Sequence, residues 1–163
     1  MPTLLVVHHS PTPSVQTLTT GVIAGANDDA IEGVDVVVRE ALAATADDVL
    51  AADGIVLGCT ANFGYMSGAM NHFFDSLFLE VGGALSDDGS AAGGTSPGGR
   101  VPFGVWVHGR YDTAGAVRSV LAIAGALPWR QAAGVLEVLG EVDADARAAA
   151  HELGATLAAL VAD

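Results

Sequence analysis

Four short runs of the chain are predominantly apolar instead of alternating with polar residues: Leu4–Val7, Val34–Val38, Ile55–Leu57 and Val101–Val107. Runs of this kind read as strands buried on both faces. Ala133–Leu139 is a fifth, more interrupted candidate. Between the runs, apolar residues recur at helical spacing. Val15, Leu18, Val22 and Ile23 share one face; so do Met70, Phe73, Phe74, Leu77 and Phe78. Val117, Val120, Leu121 and Ala124 form a third set, and Leu153, Leu157, Leu160 and Val161 a fourth. A short helical turn is read at Ala46–Leu50. Strands alternating with helices predict an α/β fold of three layers, with helices on both faces of a doubly wound five-stranded parallel sheet. The crossovers are expected to be right-handed, the strand order 2-1-3-4-5, and residues 1–163 a single domain. In that order the ligand crevice lies at the carboxyl ends of the first and third strands. The residues following strands one, three and four should therefore carry the function. Gly82–Gly99 fits neither pattern: it is too rich in Gly, Ser and Asp for helix or strand, and a lid, an oligomer contact and plain surface slack are all open.

Charge narrows the partners. The formal net charge is −13, with six arginines and no lysine. Phosphate-backbone affinity comes from clustered Lys and Arg, so nucleic acid is not expected as a partner, nor is an anionic membrane surface. No stretch approaches the length of a membrane helix, and Leu4–Val7 lacks the basic flank and length of a signal peptide. With a single cysteine, Cys59, no internal disulfide can form, and the expected location is cytoplasmic. A metal site is not expected. His8 and His9 would face opposite sides if both lay on the strand, and His72 and His151 fall on helices. Cys59 follows a strand as the nucleophile of small tyrosine phosphatases does, but Tyr65 stands where their arginine is required, which leaves a buried, inert thiol. Receiver domains need a lysine that this chain lacks.

Three loops can carry chemistry. The first, His8-His9-Ser10-Pro11-Thr12-Pro13-Ser14-Val15-Gln16-Thr17, runs into a helix. Hydroxyls at a helix N-terminus make an anion site that needs no cation, although simple capping by Ser or Thr would use the same residues. Neither GxxxxGK[ST] nor GxGxxG is present, which disfavours a nucleoside triphosphate and a Rossmann dinucleotide. The second loop, Gly58 to Gly68, ends a strand in small polar residues, two aromatics and glycines, a composition suited to a planar ligand. Phe63 and Tyr65 could instead pack onto the core. The third, His108 to Gly115, sets a glycine beside an imidazole, a fixed cation and a phenol; Asp112 or Thr113 could cap the next helix.

These loops, with Ala52-Asp53-Gly54-Ile55-Val56-Leu57-Gly58 leading to Asn62-Phe63-Gly64-Tyr65-Met66-Ser67-Gly68, the helix Met70-Asn71-His72-Phe73-Phe74-Asp75, and His108-Gly109, resemble the flavodoxin-like family. The nearest likeness is to WrbA-type NAD(P)H:quinone oxidoreductases and related FMN reductases. What the resemblance implies is FMN binding. By it, Ser10, Thr12, Ser14, Val15, Gln16 and Thr17 would hold the 5′-phosphate. Thr60, Ala61, Asn62, Phe63, Gly64 and Tyr65 would line the isoalloxazine edge, and His108, Gly109, Arg110 and Tyr111 would approach the pyrimidine side and its O2. The expected activity is NAD(P)H-dependent two-electron reduction of a quinone-like small molecule, with His108 polarising or stacking on the acceptor. Two alternatives stand beside it: a one-electron carrier serving a redox protein, and a non-catalytic binding module that has lost the flavin. The chain departs from the family by carrying Pro11 and Pro13 where flavodoxins typically have Gly, so that loop has fewer amides. It also lacks most of the segment that helps WrbA-type enzymes tetramerise, and a homodimer is compatible with what remains.

Overall fold

The computed structural model describes residues 1–83, 87–88 and 101–163. The elements, in chain order, are β1 (Thr3–His8), α1 (Pro13–Ala26), β2 (Asp35–Glu40), α2 (Ala46–Leu50), β3 (Gly54–Asn62), β4 (Tyr65–Met66), α3 (Gly68–Leu77), β5 (Val101–Gly109), α4 (Ala114–Ala124), β6 (Trp129–Gln131), β7 (Leu136–Leu139) and α5 (Ala144–Ala162). The main sheet runs β2-β1-β3-β5-β6, all pairs parallel. β7 continues the last position beside the carboxyl half of β5. This is the expected order 2-1-3-4-5.

Side-chain alternation sorts the sheet residues into two cores. Leu5, Val7, Ile55, Leu57, Cys59, Phe103, Val105 and Val107 face α2, α3 and α4. Leu4, Val6, Val56 and Trp106 face α1 and α5. The second face is built on small residues. A Cβ at Gly58 would lie 1.8 Å from the Trp106 ring on the neighbouring strand, and one at Gly104 would lie 3.0 Å from both Leu153 and Leu157 of α5. Trp106, wholly buried, fills the space left at Gly58, and Leu153 and Leu157 fill the space left at Gly104.

The helices begin where local chemistry satisfies their free N–H groups. Thr12, Thr45, Ser67 and Asp143 each accept a backbone N–H at the starts of α1, α2, α3 and α5. Pro13 at the first helical position of α1 suits its fixed φ and missing N–H. α2 carries a full capping box between Thr45 and Asp48, and Arg39 lies 3.3 Å from the Asp48 carboxylate. Burial is the largest influence on that carboxyl and pushes it upward, but the Thr45 hydrogen bonds and Arg39 outweigh it and leave its pKa lowered.

Four details correct the sequence reading. β2 is not fully buried: as the sheet's edge strand it is only half-covered, and its ends are exposed. The fifth strand is two pieces, β6 and β7: after Ala132, whose N–H still donates to Phe103 O, the chain leaves β5 and rejoins it at Leu136. β3 extends to Asn62 and turns back as β4, so the middle loop is mostly strand. Leu160 is exposed on α5, on the solvent side of its helical set. Most of Gly82–Gly99 lies outside the described residues. Among those described, no helix is long and apolar enough to cross a membrane.

Cys59 is buried beside Ser67. Burial pushes its thiol pKa up, only partly opposed by hydrogen bonds from Ser67. A thiol reagent is therefore expected to leave the folded protein unlabelled over a period that fully labels it in denaturant. Labelling at equal rates in both would contradict the burial.

Candidate functional site

A cavity of about 650 Å³ opens at the carboxyl edge of the sheet, lined by Thr12, Ser14, Thr60, Ala61, Asn62, His108, Gly109, Arg110, Tyr111, Gly140 and Glu141. Its volume is within the range of small-molecule and cofactor sites. Three of the four contributing segments are the loops singled out from the sequence. The fourth, Gly140-Glu141 after β7, was not anticipated.

At one end stands the start of α1. The Thr12 oxygen accepts the Val15 N–H at 3.4 Å, which leaves the Thr12 O–H proton free to donate outward. Ser14 contributes a second hydroxyl to the same wall. The other residues expected around this loop do not line the cavity. Val15 is wholly buried in the core. Gln16 donates through Nε2 to the Ser10 carbonyl, and the Thr17 hydroxyl donates back to Pro13 O. Both line a separate, shallow groove on the outer face of α1.

Ser10 serves an internal relay. Thr19 Oγ1 donates to Val15 O at 2.9 Å, so Ser10 Oγ donates to Thr19 at 2.7 Å and receives the His8 Nδ1–H at 2.8 Å. This chain of bonds ties the end of β1 to α1. Burial lowers the His8 pKa, with Glu40 opposing and His9 assisting, which favours the neutral ring; the relay fixes its tautomer with the proton on Nδ1. His9 lies beyond the last residue of β1, so His8 and His9 line one small cavity with Glu40 instead of facing apart.

The middle wall comes from β3. Thr60 Oγ1 donates to Asn62 Oδ1 at 2.9 Å, leaving the Asn62 amide group free to donate. Asn62 pairs with Tyr65, so Phe63 and Gly64 form a two-residue hairpin turn. Both have positive φ, +50° and +80°. That is a type I′ turn, whose first position favours Asn or Gly and disfavours an aromatic residue. Phe63 is nonetheless there and fully exposed at 109%. Tyr65 and Tyr111 are also exposed, at 46% and 84%, so neither Phe63 nor Tyr65 packs onto the core. The tip rests on α4: a Cβ at Gly115 would lie 1.8 Å from the Gly64 carbonyl oxygen.

The third wall follows β5. His108 sits beside Thr60 in register, and its Nε2 is 2.7 Å from Gly140 O. A carbonyl only accepts, so Nε2 carries the proton and Nδ1 is the ring nitrogen left for other chemistry. Arg110 Nε donates to the Tyr111 hydroxyl at 3.1 Å, with its guanidinium 5.6 Å from that ring's centroid. Arg110 is the cavity's one cation among the described residues; Glu141 is its carboxylate. The polar groups of the lining are thus mostly donors, from hydroxyls, an amide and a guanidinium, a set suited to a ligand bearing an anionic group and a ring with acceptor edges.

Over 102 residues the chain is 32% identical to a flavodoxin of Aquifex aeolicus (strain VF5), a match covering 60% of this chain and 54% of that protein. The chain thus aligns with about half the length of that curated relative. No protein-family model matches. Among solved structures, a flavodoxin from the domain Archaea superposes with a TM-score of 0.77 at 16% identity, covering 99% of each chain. A WrbA-like flavodoxin from Agrobacterium tumefaciens gives 0.71 at 16% identity, over 99% of this chain and 98% of that one. The fold is flavodoxin-like.

Proposed function

We propose that the cavity binds FMN non-covalently and that the protein is a WrbA-type oxidoreductase using NAD(P)H to reduce a quinone-like acceptor by two electrons. The observation that carries this reading is the donor-lined cavity at the carboxyl edge of the sheet; the strained, fully exposed Phe63 does not line it but follows directly on its Asn62 wall. A bulky residue held at positive φ costs on the order of 1–3 kcal/mol and persists where function requires it. The donor set fits FMN. The Thr12 and Ser14 hydroxyls at the N-terminus of α1 would take the phosphate, aided by the helix dipole and in place of the amides removed by Pro11 and Pro13. Thr60, Ala61, Asn62 and Gly109 would meet the ring edge, and Phe63, Tyr65 and Tyr111 offer stacking faces.

When bound, FMN supplies the redox step, accepting hydride from NAD(P)H and passing two electrons to the acceptor, which takes up two protons. The chain's own residues bind, orient and hold protons. Gly140 fixes the His108 ring through Nε2, so Nδ1 is the atom available to orient an acceptor or hold a proton. Arg110 would supply fixed positive charge to the bound group from the cavity wall.

The test is rapid mixing of the FMN-loaded protein with NADH and with NADPH. Bleaching of the bound flavin by either supports the reading; flavin that stays oxidised with both contradicts it. A second reading, a one-electron carrier, is favoured by the match to the Aquifex flavodoxin and by the net charge of −13, which suits docking on a basic redox protein. Reduction by a one-electron donor but by neither nicotinamide would select it.

A further inference from the structure

The start of α4 differs from the starts of the other four helices. At each of those the capping side chain accepts a backbone N–H. Thr113 occupies the same position on α4 but makes no such bond. Its side chain is buried, so its hydroxyl must find a partner elsewhere. That partner is Glu137, whose Oε2 accepts the Thr113 O–H at 2.7 Å across 24 residues of sequence. Asp112 Oδ1 takes the Ala114 N–H instead, at 2.9 Å. Glu137 is the one charged residue of β7, a strand otherwise made of Leu136, Val138 and Leu139. Two more bonds join the same loops, from Gly140 N–H to Gly109 O at 2.8 Å and from His108 Nε2–H to Gly140 O at 2.7 Å. The segment from His108 to Thr113, one whole wall of the cavity, is thus held from β7.

We propose that Glu137 is a positioning residue: through Thr113 it fixes the Gly109–Tyr111 wall in the geometry that receives the ligand. The effect on ligand affinity rests on the FMN reading above; the effect on the loop does not. Glu137 does not line the cavity, so it acts through the loop.

Because the chain has no lysine, trypsin cuts only after arginine, and Arg110 lies within this loop. In the flavin-free protein, Glu137→Ala is expected to speed cleavage after Arg110 at least about fivefold relative to cleavage after Arg147 within α5. It should also raise the FMN dissociation constant about tenfold, the scale of one lost hydrogen bond. Glu137→Gln keeps an oxygen that accepts the same O–H and should restore both quantities to within about twofold of wild type. Thr113→Val removes the donor at nearly constant volume and should reproduce the alanine effect, with the double variant no worse than either single one.

Unchanged cleavage after Arg110 in Glu137→Ala would overturn the proposal. So would a Gln variant as impaired as the Ala one, which would assign the effect to charge. Faster cleavage with unaltered FMN affinity would reduce Glu137 to a loop anchor and overturn its role in the site. If the wild-type protein binds no FMN, the reading above fails while the cleavage rates still decide whether Glu137 orders the loop.

Discussion

Replacing Gly25 or Gly154 with alanine is expected to destabilise the protein by about 3 kcal/mol or more, lowering Tm by roughly 10 °C. Two effects oppose each other. Both glycines sit inside helices, where alanine is favoured by about 1 kcal/mol. Against this, a Cβ at Gly25 would lie 1.9 Å from the His151 carbonyl oxygen of α5, and one at Gly154 would lie 1.9 Å from Val22 O of α1. The obstacle in each case is helical backbone, which cannot swing aside as a side-chain tip can. α1 and α5 would have to separate, opening the core around Leu18, Val22, Leu153 and Leu157 that both helices cover. The steric effect wins. Gly134, with nothing near its Cβ position, is the control: Gly134→Ala should leave Tm within about 2 °C of wild type. Thermal melts of the three variants check this, and equal melting temperatures would show that the α1–α5 contact is looser than described.

Phe63→Asn is expected to move stability and affinity in opposite directions. Asparagine tolerates the positive φ that Phe63 is forced to adopt at +50°, so the variant should gain about 1 kcal/mol and melt roughly 2–4 °C higher. Phe63 buries nothing in the core, so no packing loss offsets this gain. The same change removes a stacking face worth about 0.5–1.5 kcal/mol and should weaken FMN binding roughly three- to tenfold. Melting curves without ligand and a fluorescence titration with FMN measure the two. Higher stability with unchanged affinity would leave the strained phenylalanine without a role at the cavity.

The strand order is not written in the chain's apolar runs and was expected only from the doubly wound pattern that strand–helix alternation suits. Four of the five sheet positions were legible because parallel strands write themselves as short apolar runs. The fifth was blurred by Glu137, a charge inside an apolar segment that turns out to hold Thr113, and by the break at Ala132–Val135. With that strand indistinct, Gly140 and Glu141 at its end went unnoticed, although a glycine following an apolar run was their signal. At the first loop the sequence showed a run of hydroxyls but not their directions. Those depend on the helix starting at Pro13: from that start Ser14 faces the cavity, Val15 the core, and Gln16 and Thr17 the outer groove. The hairpin at Phe63-Gly64 was hidden for the converse reason. Its Gly was a turn signal, but the aromatic before it violates the local preference of the turn it occupies.

Whether the donor-lined cavity is a flavin site is decided by titrating the flavin-free protein with FMN and following flavin fluorescence quenching and the visible spectrum. Saturable quenching with one FMN per chain is expected at micromolar concentration or below, weakened by at least about a hundredfold when Thr12 and Ser14 are both alanine. Absence of quenching or spectral change at millimolar FMN would contradict a flavin site and leave the fold as a binding module for another ligand.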